Sequence, residues 1–148
     1  MKAMLVVVVL ILSFGAAGPT TSEESSNIHF TTVDVQIDPR GNTLAAYQVE
    51  FIADSTRVKL VGIEGGDHTA FKQPPYYDPA ALSHNRVIVA AFNAGRDLPS
   101  ATFRAARLHL EITGSEKPRW EAKLMVAAAT DGPAIAGAAV SLSEGAEK

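Results

Sequence analysis

Along most of its length the chain alternates apolar and polar residues with a period of two. In residues 30–37, Val33, Val35 and Ile37 alternate with Asp34 and Gln36. In residues 45–53, Tyr47, Val49 and Phe51 alternate with Gln48, Glu50 and Ile52. Successive side chains of an extended strand point to opposite faces, so this pattern predicts half-buried β-strands. Asp38-Pro39-Arg40-Gly41-Asn42 separates the two as a turn, and Asp54-Ser55-Thr56 ends the second before a third strand over 58–63. Residues 86–92 are apolar on both faces, which predicts a central strand. In 102–113, Ala106, Leu108, Leu110 and Ile112 alternate with Arg104, Arg107, His109 and Glu111. After a turn over 114–118, Trp120, Ala122, Leu124, Val126 and Ala128 alternate with Glu121 and Lys123, which points Trp120, Leu124 and Val126 into the core. Asp131-Gly132-Pro133 turns the chain into a last, alanine-rich strand over 135–142. About seven strands at these turn spacings predict an all-β fold, a single antiparallel β-sandwich. The one predicted helical turn is 78–83, with Asp78 as its cap and Pro79 at the first helical position.

The start of the chain breaks this alternation and bears on location. Lys2, the run Leu5-Val6-Val7-Val8-Val9-Leu10-Ile11-Leu12 and the small residues Gly15-Ala16-Ala17-Gly18 have the layout of a secretory signal peptide. The apolar run is far shorter than the roughly 20 residues a spanning helix needs, so cleavage after Ala17 or Gly18 is expected and a retained anchor is not. No later segment is apolar enough to span a membrane. The polar stretch that follows reads as a flexible tether, giving a signal peptide over 1–18, a tether over 19–27, one domain over 28–142 and a disordered tail over 143–148. The chain has no cysteine, so stability must come from packing alone. These features suit a bacterial protein that is secreted or periplasmic. The net charge is −3; removing 1–18 takes away one of 13 basic residues against 16 acids and leaves −4. A mildly acidic domain argues against nucleic acid and anionic membrane surfaces as partners.

Residues 62–79, G-I-E-G-G-D-H-T-A-F-K-Q-P-P-Y-Y-D-P, form the one long loop, and binding residues concentrate on loops carried by a rigid scaffold. Phe71, Tyr76 and Tyr77, with Asp78 and His68 beside them, are the candidates for ligand or partner contact. Aromatic rings stack on sugar faces or anchor a protein, and Pro74-Pro75 stiffens the approach. The alternative is that these rings fold back as a cap over one end of the sandwich, the preferred reading for Phe71 and an even one for the tyrosines. Trp120 reads as core rather than as a sugar platform. Glu64, Asp67 and His68, with Asp78 and His84 further along, have metal-ligand chemistry, but their spacing matches no known metal loop and ordinary turn chemistry accounts for them. His29 and His109 read as exposed on strand faces. No cofactor is expected. The chain contains no G-x-S-x-G, cysteine nucleophile, H-E-x-x-H or phosphate-binding glycine loop. A glycosidase needs two opposed carboxylates, and nothing in the sequence pairs Glu50, Asp67 or Asp78 for that role. A noncatalytic protein is expected.

The order of these features resembles a cohesin domain, within the wider superfamily of bacterial cellulose-binding sandwiches. The resemblance rests on Val33-Asp34-Val35-Gln36-Ile37, on residues 44–51, on the strand over 58–66 that ends in Gly65-Gly66, and on residues 86–92 and 105–112. It covers most of residues 30–142. It implies a jelly-roll sandwich that binds a protein, for cohesins the dockerin modules of cellulose-degrading complexes, through one sheet face. The loop from Asp67 to Asp78 has no counterpart in that pattern. The leading expectation is an exported binding module for a protein or a surface polymer. A carbohydrate-binding module and a structural subunit of an extracellular assembly are the alternatives. Expressed with its leader in a bacterial host, the exported protein should begin at Gly18 or Pro19 by intact mass. An exported species that still carries Met1 would overturn the leader assignment.

Overall fold

The computed structural model describes residues 27–145. The leader and, apart from Asn27, the tether lie outside the described residues, as do residues 146–148. The strands are β1 (Ile28–Asp38), β2 (Ala46–Ala53), β3 (Val58–Gly65), β4 (Arg86–Phe92), β5 (Phe103–Thr113), β6 (Trp120–Ala128) and β7 (Ala139–Glu144). They build a four-stranded sheet in the order β3-β5-β1-β7, sheet A, and a three-stranded sheet in the order β4-β2-β6, sheet B. All strand pairs are antiparallel, and each step from one strand to the next crosses between the sheets. The inward residues of the alternating pattern meet between the layers: Val33, Val35 and Ile37 of β1 and Leu108 and Leu110 of β5 from one side, Val49 and Phe51 of β2 and Val87 and Val89 of β4 from the other. The fold is therefore the all-β sandwich that the alternation predicts. Among the described residues no helix is long and apolar enough to cross a membrane.

Three β-bulges set which side chains face out. Val35 pairs with Ala106 and Gln36 with Arg104, so Ala105 is an extra residue in β5. Leu60 pairs with Leu110 and Gly62 with His109, which leaves Val61 as the extra residue of β3. In β6, Leu124 pairs with Val49 but Val126 with Gln48, so Met125 is inserted. An inserted residue reverses the side-chain alternation beyond it. Trp120, Ala122 and Leu124 pack against the core as the period of two predicts, but Val126 does not point inward; the bulge turns it to the outer face.

Two further expectations change. The doubly apolar β4 is not a central strand. It lies at the end of sheet B, with β2 on one side and a single bridge from Tyr76 to Ala90 on the other. The last strand also does not end at Leu142: Ser143 pairs with Asp34 and Glu144 with Val33, because the edge of β1 continues to offer backbone partners there. The predicted helical turn is present as a 3-10 turn over Pro79–Ala81, with the Asp78 carboxylate accepting the Ala80 N–H at 2.9 Å.

One side-chain hydrogen bond crosses the buried space between the sheets. Tyr47 of β2 is 2% exposed, and its hydroxyl donates to the backbone carbonyl of Ala105, the bulge residue of β5, at 3.0 Å. Burial raises the Tyr47 pKa well above the ordinary phenol value. The unfolded chain therefore loses this proton first, and stability that is intact below about pH 10 is lost as the pH rises above it. Tyr47→Phe should cost about 1 kcal/mol at pH 8, since the partner carbonyl loses a buried donor. By pH 11 the difference from the parent chain should close, because the variant has no phenol to ionise there. Urea denaturation of both proteins at the two pH values measures this, and a gap that stays constant would contradict it.

Candidate functional site

The loop between β3 and β4 is tied down at successive points. Gly65 lies against the Lys72 and Gln73 carbonyls and Gly66 against the Arg104 carbonyl, at positions where a Cβ would collide with backbone. Asp67 extends the pairing with β5: its N–H donates to the Arg104 carbonyl at 3.1 Å, and its carboxylate accepts the Arg104 N–H at 2.9 Å. His68 caps a short 3-10 turn, Thr69–Phe71, by accepting the Ala70 N–H on Nδ1 at 3.2 Å. Phe71 is 3% exposed. Its ring stacks on Phe103 at a centroid distance of 5.6 Å and meets Tyr47 edge-on at 5.3 Å. Asn93 holds the same turn from β4's end by donating to the Ala70 carbonyl at 2.9 Å.

The candidates of this loop thus go to different places. Phe71 is a core residue, closed to a ligand. Tyr77 is half-buried against the core and Asp78 caps its turn. Tyr76 alone among the three rings faces solvent, 73% exposed, while its backbone exchanges two hydrogen bonds with Ala90 at 2.8 and 2.9 Å. The structure does not bring the five candidates together around one ligand.

Tyr76 instead joins a surface that lies mostly outside the loop. Residues paired across neighbouring strands share a face. Tyr76 therefore lies with Ala90, Gln48 and Val126 in one row on the outside of sheet B, and Phe92, Ala46 and Ala128 form the next row. Phe92 is 71% exposed, Met125 44%, Val126 43% and Ile52 37%. With Tyr76, five of the eight large apolar side chains that are exposed among the described residues stand on this one face. The alanines form its floor, the rings of Tyr76 and Phe92 one wall, and Met125 and Val126 the other. Gln48 in the middle donates to the Met125 sulfur at 3.7 Å. Beyond it the face becomes charged, with Arg86 on Glu50 at 2.6 Å and Lys123 and Glu121 on β6. The alternation singles out neither Phe92, Met125 nor Ile52 for this face, and it assigns Val126 to the core. The available signal was the apolar outer side of residues 86–92 and the run Met125-Val126-Ala127, which no strict alternation accommodates.

The outer face of sheet A is dominated by ion pairs, although Phe30 on β1 and Val61 on β3 are exposed on that sheet as well. Arg107 makes a two-pronged contact with Asp34 at 2.6 and 2.9 Å, and Arg104 stands 3.9 Å from the same carboxylate. That hydrogen-bonded contact raises the Arg107 pKa further and keeps the guanidinium charged. Lys59 pairs with Glu111 at 3.5 Å and His109 with Glu64 at 2.9 Å. The three metal candidates are each committed elsewhere: Glu64 to His109, Asp67 to the backbone of β5, His68 to its own turn. Among the described residues no group of three or more His, Cys, Asp or Glu side chains is placed to hold a metal ion. His29 is exposed on β1 and His84 lines a shallow groove beside β4.

Compared with protein-family models, with curated proteins and with solved structures, the chain finds no match. The geometry of the two outer faces is what distinguishes this sandwich. Phe71→Ala should lower stability by about 3–5 kcal/mol, the usual cost of emptying a buried aromatic site. Tyr76→Ala should change it by less than about 0.5 kcal/mol, as for an exposed side chain. Chemical denaturation of the two variants checks this contrast, and comparable losses would contradict the placement of the two rings.

Proposed function

We propose that this protein is an exported, noncatalytic binding module, cohesin-like in fold, that engages a protein partner through the outer face of sheet B. The observation that carries the reading is the clustering of Tyr76, Phe92, Met125 and Val126 on that face. Apolar side chains gathered on one face and rimmed by charges suit contact with a partner. Export is supported by the leader pattern of residues 1–18.

The shape of the face supports a particular occupant. Strands lie about 4.8 Å apart, so the backbones that carry Phe92 on β4 and Val126 on β6 stand about 10 Å from one another, with Ala46 and Gln48 of β2 between. A helix with its side chains is about 10 Å across. That is wider than the gap left between the wall side chains, so an amphipathic α-helix would lie above β2 with its apolar side chains entering the trough and the charged rows of Glu50, Arg86, Lys123 and Glu121 meeting its polar end. A bare polysaccharide would find few free hydrogen-bonding groups between the walls.

The test is affinity capture from the extracellular fraction of the producing cells, using the intact domain beside a Phe92→Ala/Val126→Asp variant with an unchanged circular dichroism spectrum. A protein retained by the first and lost by the second should, once purified, bind with a negative heat-capacity change and an affinity at least about tenfold above that for the variant. Equal retention of every captured protein by both would overturn the reading.

A further inference from the structure

The only tryptophan of the chain is not spent entirely on the core. Trp120 opens β6 opposite Ala53, half-buried against the sandwich. Its remaining surface lines an open groove of about 420 Å³ at the far end of sheet B from Phe92, together with Ile52, Asp54, Arg119 and Glu121. That volume is within the roughly 300–1,000 Å³ range of small-ligand sites.

The polar groups around the ring have unspent hydrogen-bonding capacity. Asp54 and Arg119 continue the β2–β6 ladder: the Asp54 N–H donates to the Arg119 carbonyl at 3.0 Å, and Asp54 Oδ1 accepts the Arg119 N–H at 3.1 Å. That fixes the backbone of both residues and leaves Asp54 Oδ2 as an open acceptor. The Arg119 guanidinium and the Glu121 carboxylate make no hydrogen bond or ion pair among the described residues, in contrast to Arg57, Arg86 and Arg107, each of which holds a carboxylate. The Trp120 indole N–H likewise has no protein acceptor and is not sealed from solvent, since the one buried unpartnered side-chain polar atom among the described residues is Arg104 Nε.

From this geometry we infer a carbohydrate site: the groove takes a neutral pyranose ring, stacked on the exposed part of Trp120. An aromatic ring offers its face to the axial C–H groups of a sugar, and planar donors and acceptors beside it suit vicinal hydroxyls. Arg119 and the indole N–H donate, and Asp54 and Glu121 accept. Two carboxylates against one guanidinium leave the groove negative, which selects against uronates, sulfated sugars and other anions. This site is centred on Trp120 at the far end of sheet B from Phe92, and although it borders the charged rows through Ile52 and Glu121 it does not need the trough's partner.

Trp120 is the sole tryptophan, so its fluorescence reports on the groove directly. The full mature chain is titrated with cellotetraose, xylotetraose and maltotetraose as neutral probes and with trigalacturonate as the anionic one. At least one neutral oligosaccharide should shift or quench the emission saturably, with a dissociation constant on the order of 1 mM for so open a site. Arg119→Ala and Glu121→Gln should each weaken that binding about tenfold, as loss of a charge-assisted hydrogen bond does. Phe92→Ala should leave it unchanged. No saturable change with any neutral probe overturns the inference. So does a response to trigalacturonate alone, or an affinity indifferent to both groove variants. Loss of the response on Phe92→Ala would transfer the site to the trough and overturn it equally.

Discussion

The arrangement depends on the burial of Phe71 between Tyr47 and Phe103. A connection of some twenty residues between two sheets is costly to order, and backbone fixation alone opposes it by about 1 kcal/mol or more per residue. A buried aromatic side chain that stacks on one neighbour and meets another edge-on offsets part of that cost. The same corner holds the Tyr47 hydroxyl on the Ala105 carbonyl, so loop, β2 and the bulge of β5 meet at one point. From there the chain runs through Pro74-Pro75 to Tyr76, whose backbone docks on Ala90. The exposed position of the Tyr76 ring therefore follows from the burial of the Phe71 ring.

The two outer faces differ in how their side chains are satisfied. On sheet A nearly every outward charge has a partner within its own face. Such pairs contribute little stability where they are exposed, typically 0–1 kcal/mol each. Their effect is to keep that face hydrated and self-satisfied, with little left for a partner. Sheet B carries the reverse: small and large apolar side chains without partners, and an edge strand whose free backbone is shortened by the Tyr76 bridge. Covering the next position of the β4 edge guards against pairing with another chain, while the apolar side chains beside it stay available.

The strands were legible because half-buried antiparallel strands have a period of two and strong turns punctuate them. β4 and β6 were found with their ends as the pattern set them. What the pattern does not encode is the number of residues opposite each other in a pair. The insertion of Met125 is invisible until β6 is laid against β2, and it reverses the side of Val126. Apolarity on both sides of β4 has two explanations, a layer over each face or an uncovered binding face, and composition alone favours the more common one. The loop stood out by its unusual residues, yet much of its chemistry proved to be internal: glycines for close backbone approach, Asp67, His68 and Asp78 for local hydrogen bonds. Of its residues, Tyr76 reaches the face where the apolar surface collects, and the rest of that face comes from strands too regular in sequence to attract notice.

Area limits how the apolar trough can work by itself. Its uninterrupted part spans two rows, about 7 Å along the strands, and roughly 10–14 Å across them. That is well short of the ~800 Å² per partner of a standard specific interface. A partner held there must also cover the charged rows of Glu50, Arg86, Lys123 and Glu121. Charges of both signs at one end of an otherwise apolar strip add little net affinity but penalise the reversed orientation, in which an apolar group would desolvate them unpaired. The walls stand on strands apart from Tyr76, whose backbone is bridged to Ala90, and the floor is alanine apart from Gln48, whose amide rests on Met125, so little entropy remains to be lost when the face is covered. Under the proposed reading, a small surface of this kind would gain its selectivity from rigidity and from the direction imposed by its charged end, with Tyr76 and Phe92 as the anchors.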